Sequence, residues 1–430
     1  MHIFFSAIGG AGIGPLALIA HQAGYKVSGS DKQSSQYIVY LKEHGVTDIF
    51  IGQNKENIEY CNRKNKIDWL VYSSAVSIEN PNSPELLFCS ENNIKTSKRD
   101  ELLNEIIRNN KLKLIAIAGT HGKSTTTAMV IWLFKELAIP ISYSVGAKMN
   151  FGDMGEFHNK SEYFIYEADE FDYNFLSFNP YLSLITGVTW DHHEIFPTRD
   201  SYKKAFTDFI YKSESSIVWE DEHKYLNLNE SNKIIIESTE NIHLNQITLD
   251  GKFNRYDAYL AIRAVHELTH HPLKKLIDII NKFPGLQRRM EEIIPGLYSD
   301  YAHTPEKIRG AMSVSLEIAK KSYKDVVVLY EPLTDRRQHF IKNDYKDCFK
   351  GAKVVYWLPS YLAREDPNQN ILNPEELISN LDDPNIAIAK KRDEQLKKII
   401  EKHLFSGNIV VGMNGGGGDS LDEWLKQEFR

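Results

Sequence analysis

Short apolar runs alternate along this chain with longer segments whose apolar positions recur every three or four residues, the signature of strands and helices taking turns. The opening block reads as a strand at 2–7, a glycine turn, a helix reaching about His21, and a second strand that ends at Asp31. A further strand at 69–72 runs into Ser73-Ser74, and the charged stretch 98–111 predicts a helix and a linker. A second block opens with a strand at 113–118, continues with strands at 163–167 and 181–187, and closes on a helical pair over 254–282. Pro284-Gly285 then breaks the pattern. The last block places strands at 297–301, 326–330, 354–358 and 409–413, the final one running toward Gly415-Gly416-Gly417-Gly418. Helices fall between those strands, so the class is α/β, with doubly wound parallel sheets. At 430 residues the chain also exceeds what one hydrophobic core usually serves, and more than one domain is expected.

Composition narrows the setting. With 42% hydrophobic and 25% charged residues, the chain has the make-up of a folded protein and not of a disordered one. Cys61, Cys89 and Cys348 lie far apart without metal-ligand spacing, which excludes a disulfide framework or zinc site and fits a reducing cytoplasm. The start MHIFFSAIGG lacks the basic-then-apolar layout of a signal peptide and no apolar run is long enough to cross a bilayer, so a cytoplasmic protein without a membrane partner is expected. The net charge is −7 with no basic stripe, so nucleic acid is not expected as a partner. Any phosphate must be held locally, by loops and helix ends.

Three motifs supply such places. Gly119-Thr120-His121-Gly122-Lys123-Ser124-Thr125 follows the 113–118 strand and precedes a helical stretch. A strand feeding a glycine turn feeding a helix aims backbone N–H groups at one spot, which suits phosphate oxygens. Lys123 is expected to meet the outer phosphates, and Ser124 or Thr125 to offer a hydroxyl to Mg2+. With ligand phosphates as its partners, Lys123 should be removable without harm to the fold. Glu167, Asp169, Glu170 and Asp172 after one strand, and Asp191-His192-His193 after another, are possible metal ligands at the strand ends where open α/β sheets bind. Ala7-Ile8-Gly9-Gly10-Ala11-Gly12, with Asp31 ending the next strand, is similar to a dinucleotide fingerprint whose first glycine is alanine. It could hold a diphosphate, and a turn needing glycines for packing alone would read the same.

Together these residues resemble the Mur ligases, along nearly the whole chain. The resemblance is carried by Ile8-Gly9-Gly10-Ala11-Gly12, Ser28-Gly29-Ser30-Asp31, Ser73-Ser74-Ala75-Val76 with Asn80-Pro81, and the glycine turn at 119–126. Glu167-Ala168-Asp169-Glu170, Asp191-His192, Arg288-Arg289 and Asp300-Tyr301-Ala302-His303-Thr304-Pro305 complete it. It implies three domains: a Rossmann-like UDP-substrate domain at 1–107, a central P-loop ATPase domain at 108–285, and a Rossmann-like amino-acid-binding domain at 286–430. It also implies an ATP-dependent amide ligase of peptidoglycan precursor synthesis, working as a monomer or homodimer. In that chemistry the carboxylate of UDP-N-acetylmuramate attacks the ATP γ-phosphate and the amine of L-alanine displaces the acyl phosphate, chiefly through positioning and charge neutralisation.

Residue roles follow from the resemblance. Lys123, His192 and His303 are the expected catalytic groups, and Ser124, Thr125, Glu167 and His192 would hold Mg2+. Gly119, Thr120, His121, Gly122, Lys123, Ser124, Thr125, Asn254, Arg289 and Asp300 would bind ATP. Gly9, Gly10, Ala11, Gly12, Asp31, Ser73 and Ser74 would bind the UDP substrate, and Tyr301, His303 and Arg337 the amino acid. The chain departs from the family pattern at Phe253, where histidine is usual, at Asp257, where a second asparagine is usual, and in Glu331-Pro332-Leu333-Thr334-Asp335-Arg336-Arg337, where Thr334 replaces an arginine. Glu331-Pro332 and Asn414-Gly415-Gly416-Gly417-Gly418 are also similar to the family branch that attaches a recycled tripeptide, so that alternative stays open.

Overall fold

The computed structural model of the chain describes residues 1–430 except 11, 74, 75, 77–79, 81, 193, 194, 363, 364, 366 and 367. Strands β1 (His2–Ser6), β2 (Lys26–Asp31), β3 (Ile49–Ile51), β4 (Trp69–Tyr72) and β5 (Lys95–Lys98) form a parallel sheet in the order β3-β2-β1-β4-β5. The order reverses between β1 and β4, which opens a crevice where the Ala7 turn and Ser73 emerge.

The second sheet contains β6 (Lys113–Ala118), β7 (Ile141–Ser144), β8 (Gly155–Glu156), β9 (Tyr163–Glu167), β10 (Leu182–Ile185), β11 (Ser215–Trp219) and β12 (Ile234–Glu237). Its order is β12-β11-β10-β6-β9-β7-β8, parallel except for the antiparallel edge pair β7 and β8. β6, Lys-Leu-Ile-Ala-Ile-Ala, is buried from its second residue on, as a strand covered on both faces must be. β10 ends sooner than the 181–187 apolar run suggests. Thr186 and Gly187 bend away to serve the glycine turn after β6, Gly187 accepting a hydrogen bond from Thr120 N at 2.7 Å.

These two sheets share one compact unit, Met1–Ile247 with Tyr256–Phe283. A continuous apolar cluster explains it, running from Ile3 and Phe5 through Leu102, Leu103, Ile106 and Ile107 to Ala116 and Phe206. The middle members come from helix Arg99–Asn109, whose stripe at 102, 103, 106 and 107 is the buried face of an amphipathic helix. Helix Gly14–Gln22, by contrast, buries every residue from 14 to 20. Its second face is covered by β8: a Cβ on Gly155 would come 2.9 Å from Pro15.

The third sheet lies in the other unit, Thr248–Arg255 with Pro284–Arg430. It comprises β13 (Glu291–Ile294), β14 (Leu297–Asp300), β15 (Val326–Glu331), β16 (Val354–Trp357), β17 (Ala387–Ala389) and β18 (Ile409–Asn414), ordered β13-β14-β18-β15-β16-β17. All pairs are parallel except β13 with β14. Along β15, Val326, Val328 and Tyr330 enter one core, while Val327 and Leu329 enter the core on the opposite face. That alternation is the two-residue period of a strand between two helical layers. The short edge strands β8, β13 and β17 have no clear counterpart in the hydrophobic pattern. Among the described residues no helix is long and apolar enough to cross a membrane.

Candidate active site

In the first unit, β6 ends in a turn that only glycine can make at two points. Gly119 has φ 149°, and a Cβ there would lie 2.2 Å from Thr186 Oγ1. Gly122 has φ 78°, and a Cβ there would lie 2.4 Å from Asp257 Oδ1. Gly122 caps helix Lys123–Glu136 without a side-chain hydrogen bond, so the first amides of that helix have no side-chain cap. An anion at a helix N-terminus meets those amides and the positive end of the helix dipole. Thr120 faces inward: its Oγ1 donates to Thr189 O at 2.7 Å, accepts from Thr189 N at 2.9 Å, and lies 2.8 Å from Tyr202 OH. Its hydroxyl fastens the turn to the loop after β10.

Lys123 begins the helix, and its partners correct the expectation that they are ligand phosphates alone. Its Nζ donates to Glu170 Oε2 at 2.8 Å and to Gly119 O. Burial pulls this ammonium toward neutrality, but Glu170 beside it, with Asp169 and Glu167 beyond, outweighs the burial and holds its pKa above the ordinary value. Glu170 is fully buried, also accepts from Tyr202 OH at 3.2 Å, and lies 3.7 Å from His192 Nε2. It joins Lys123 to His192, and sequence reasoning left it among the general acidic residues. Its spacing, three residues past Glu167, marks the cluster but not its burial.

Ser124 Oγ donates to Glu167 Oε1 at 2.9 Å, and Gly146 N donates to Glu167 Oε2 at 2.7 Å. Of the two hydroxyls weighed for the metal, Ser124 is the one on Glu167. Among the described residues no three His, Cys, Asp or Glu side chains converge into a metal cage. The two oxygen donors, Ser124 and Glu167, suit Mg2+, which keeps waters and takes phosphate oxygens to complete its octahedron.

At the crevice of the first sheet, Gly9 N donates to Asp31 Oδ2 at 2.8 Å, which ties the β1 turn to the end of β2. Gly10 N closes the turn on Ala7 O at 3.0 Å. Ala7 stands where the fingerprint would have glycine and is held at φ 64°, a left-handed conformation that strains an L residue. Ser73 O accepts from Val76 N at 3.0 Å just past β4. Ala11 and Ser74, both expected here, lie outside the described residues. A cleft of about 260 Å3 runs from this turn to the phosphate loop, with Gly12, Arg99, Lys123, Gly146, Glu167 and Asp169 in its lining. Arg99 was not foreseen, because a lone arginine in a charged helix start carries no motif.

The other expected residues belong to the second unit. Tyr301 lies under Arg288 and Arg289, whose guanidinium carbons are 4.6 and 5.0 Å from the ring centroid. Asp300 accepts from Met290 N at 2.8 Å; burial raises its carboxyl above the ordinary range although Arg289 opposes that. His303 is buried, with Nδ1 3.1 Å from Tyr301 O. Burial, with Lys307 and Arg337 adding to it, pushes its pKa well below the usual imidazole value, so the ring is neutral. Arg337 is half-buried and, among the described residues, makes no hydrogen bond or ion pair. Asn254 turns its amide back onto Asp250 O at 2.7 Å.

A description of the Mur ligase family catalytic domain matches residues 2–111, and one of the Mur ligase middle domain matches residues 117–258. A UDP-N-acetylmuramate--L-alanine ligase from Clostridium acetobutylicum is 30% identical over 96% of this chain and 95% of its own. The chain belongs to the Mur ligase family. A second such ligase, from Rickettsia bellii, is 28% identical over 99% of this chain and 96% of its own. Among solved structures, the UDP-N-acetylmuramate-alanine ligase MurC from Thermotoga maritima matches with a TM-score of 0.76 at 20% identity, over 100% of this chain and 98% of that one. A murein peptide ligase from Psychrobacter arcticus matches with 0.64 at 19% identity, over 100% and 98%. At such identities the structures speak for the shared fold. Mur ligases are ATP-dependent enzymes that form carbon–nitrogen bonds, and the phosphate loop of this chain stands in that context.

Proposed function

We propose that this Mur ligase joins L-alanine to the lactyl carboxylate of UDP-N-acetylmuramate in the cytoplasm, at the expense of ATP and with Mg2+. The observation that carries the reading is the cleft joining the Gly12 turn to Lys123 and Glu167. It gives one space to a UDP-linked substrate on one wall and to ATP phosphates on the other.

In this reading the substrate carboxylate attacks the γ-phosphorus, the bond to ADP breaks, and an acyl phosphate forms. The amine of L-alanine then attacks the acyl carbon, inorganic phosphate leaves, and the amine proton goes to a base. Lys123, fixed by Glu170, stays charged and offers its remaining donor to the migrating phosphoryl group. Ser124 and Glu167 would hold Mg2+, which would supply Lewis-acid charge to the transferred phosphoryl group. Asp31 and the uncapped start of helix Gly14–Gln22 shape the diphosphate end. In the second unit, His303, kept neutral by burial, can accept a hydrogen bond from the incoming amine, and Arg337 is suited to bind the amino acid carboxylate.

Measuring phosphate release with ATP, Mg2+ and UDP-N-acetylmuramate tests the reading, with L-alanine, glycine, L-serine or the L-alanyl-γ-D-glutamyl-meso-diaminopimelate tripeptide added in turn. Stimulation by L-alanine with formation of the amide supports it. Stimulation by the tripeptide alone would move the chain to the recycling branch, which the Glu331-Pro332 pair and the Asn414 glycine run also resemble. Release that no amine stimulates would count against ligase action altogether.

A further inference from the structure

We propose that Arg99 binds the carboxylate that becomes phosphorylated, exchanging Asp169 for it when substrate enters. This rests on the function proposed above and adds to it a residue that no motif marks. Bringing a carboxylate to a triphosphate sets two anions against each other, and the approach needs a cation not already committed. Lys123 gives two of its three donors to Glu170 and to Gly119 O, and the phosphoryl group takes the third. Arg99 is the arginine lining the same cleft, and it stands between its two walls. On the UDP side its Nη1 is so near the glycine turn that a Cβ on Gly12 would come within 2.3 Å of it. On the ATP side its Nη2 donates to Asp169 Oδ2, two residues beyond Glu167, at 3.3 Å.

That contact is long for a charged pair and engages one nitrogen. A guanidinium carries five N–H donors in a planar fork, and a bidentate carboxylate pair is shorter and stronger. Among the described residues Asp169 is the hydrogen-bond partner of Arg99, so the rest of the fork is available to the cleft. Asp169 is itself partly exposed and accepts from Phe171 N at 3.2 Å, so it keeps a partner when Arg99 turns. The exchange replaces one loose ion pair with a tighter one at the place where the attacking oxygen must sit.

Two probes separate this role from a contact to the diphosphate. UDP-N-acetylmuramate carries the lactyl carboxylate, and UDP-N-acetylglucosamine has the same uridine diphosphate without it. Their binding to the full-length protein is measured by calorimetry without ATP or metal. Arg99→Gln is expected to weaken UDP-N-acetylmuramate about tenfold to a hundredfold and to leave UDP-N-acetylglucosamine within about twofold. Arg99→Lys should recover part of the loss, since an ammonium makes no bidentate pair. In turnover, Arg99→Gln should raise KM for the muramate and lower kcat while KM for ATP holds. Equal weakening of both nucleotides assigns Arg99 to the diphosphate and overturns the proposal, and so does no weakening of either. Should Arg99→Gln fail to fold, Asp169→Asn carries the test: it frees the guanidinium and should tighten the muramate severalfold without affecting the other nucleotide. Unchanged binding of both by that variant also overturns the exchange. A wild-type protein that binds neither nucleotide overturns the functional reading, and this inference with it.

Discussion

Two glycine turns in this molecule share a layout and differ in what fills them. One follows β6 and leads into helix Lys123–Glu136; the other follows β18 and leads into helix Leu421–Phe429. Each leaves an inner strand of a doubly wound sheet at its carboxyl end. At the second turn the protein's own side chains occupy the space. Arg288 Nη2 donates to Asn414 Oδ1 and Gly416 O at 2.9 and 2.8 Å, and Tyr361 OH donates to Gly418 O at 2.9 Å. The helix amide Leu421 N is taken by buried Glu331 at 2.9 Å. At the first turn, among the described residues, the helix start has no side-chain acceptor, and a charged lysine stands at its edge. Glycine-rich turns are therefore not alike as anion sites; what decides is whether a carboxylate of the same chain already sits on the amides.

Changing the occupant of each turn tests that contrast. The largest effect is expected for Lys123→Ala, which should lower kcat by about a thousandfold or more. It should also destabilise the fold by roughly 3 kcal/mol in denaturant unfolding, because Glu170 is left buried without its cation. Adding Glu170→Gln should restore much of the stability but none of the activity. If Lys123→Ala alone unfolds like wild type, the pair is not structural.

Gly119→Ala should follow, with loss of both activity and thermal stability, since its Cβ would strike Thr186 at 2.2 Å from a backbone that favours glycine. Gly418→Ala, where among the described residues nothing lies within 4 Å of the added carbon, should melt like wild type. Equal effects would erase the distinction. A smaller change is expected at the filled turn: Glu331→Ala uncovers Leu421 N and leaves Arg392 with Asp419 alone, and should cost about 1–3 kcal/mol of stability to unfolding.

The smallest effect has a pH signature. Asp257 lies against Gly122, and burial raises its carboxyl well above the ordinary value. The folded state thus keeps a proton that the unfolded state releases above a pH of about 4, so wild type loses stability as pH rises from there toward the folded pKa. Asp257→Asn removes that loss. Its melting temperature should exceed the wild-type value by a few degrees at neutral pH, and the gap should close toward pH 4. A gap independent of pH would show that Asp257 does not titrate in this way.

Much of this site is legible in the residue order because its geometry is local. A strand, a glycine turn and a helix start are contiguous in 113–136, and their backbone directions follow from short-range sterics and hydrophobic period. The same holds for the Gly9 turn with Asp31, and for the strands carrying Glu167 and Asp300. What escaped is non-local. Edge strands β8 and β13 are too short to show a period. Glu170 and Arg99 belong to segments that look like solvated acidic or mixed-charge surface.

Local order thus established the α/β class, the phosphate-binding turn and its lysine, and the family that the motifs share. Tertiary packing alone made Glu170 the buried partner of Lys123, turned Thr120 inward, set Ser124 on Glu167, filled the Asn414 turn, and brought Arg99 from the first sheet's edge to Asp169. The reason is physical. Backbone conformation is fixed mainly by near neighbours, whereas burial, desolvation and pairing of charge depend on residues tens of positions away, and those terms decide which charged groups remain available to a ligand.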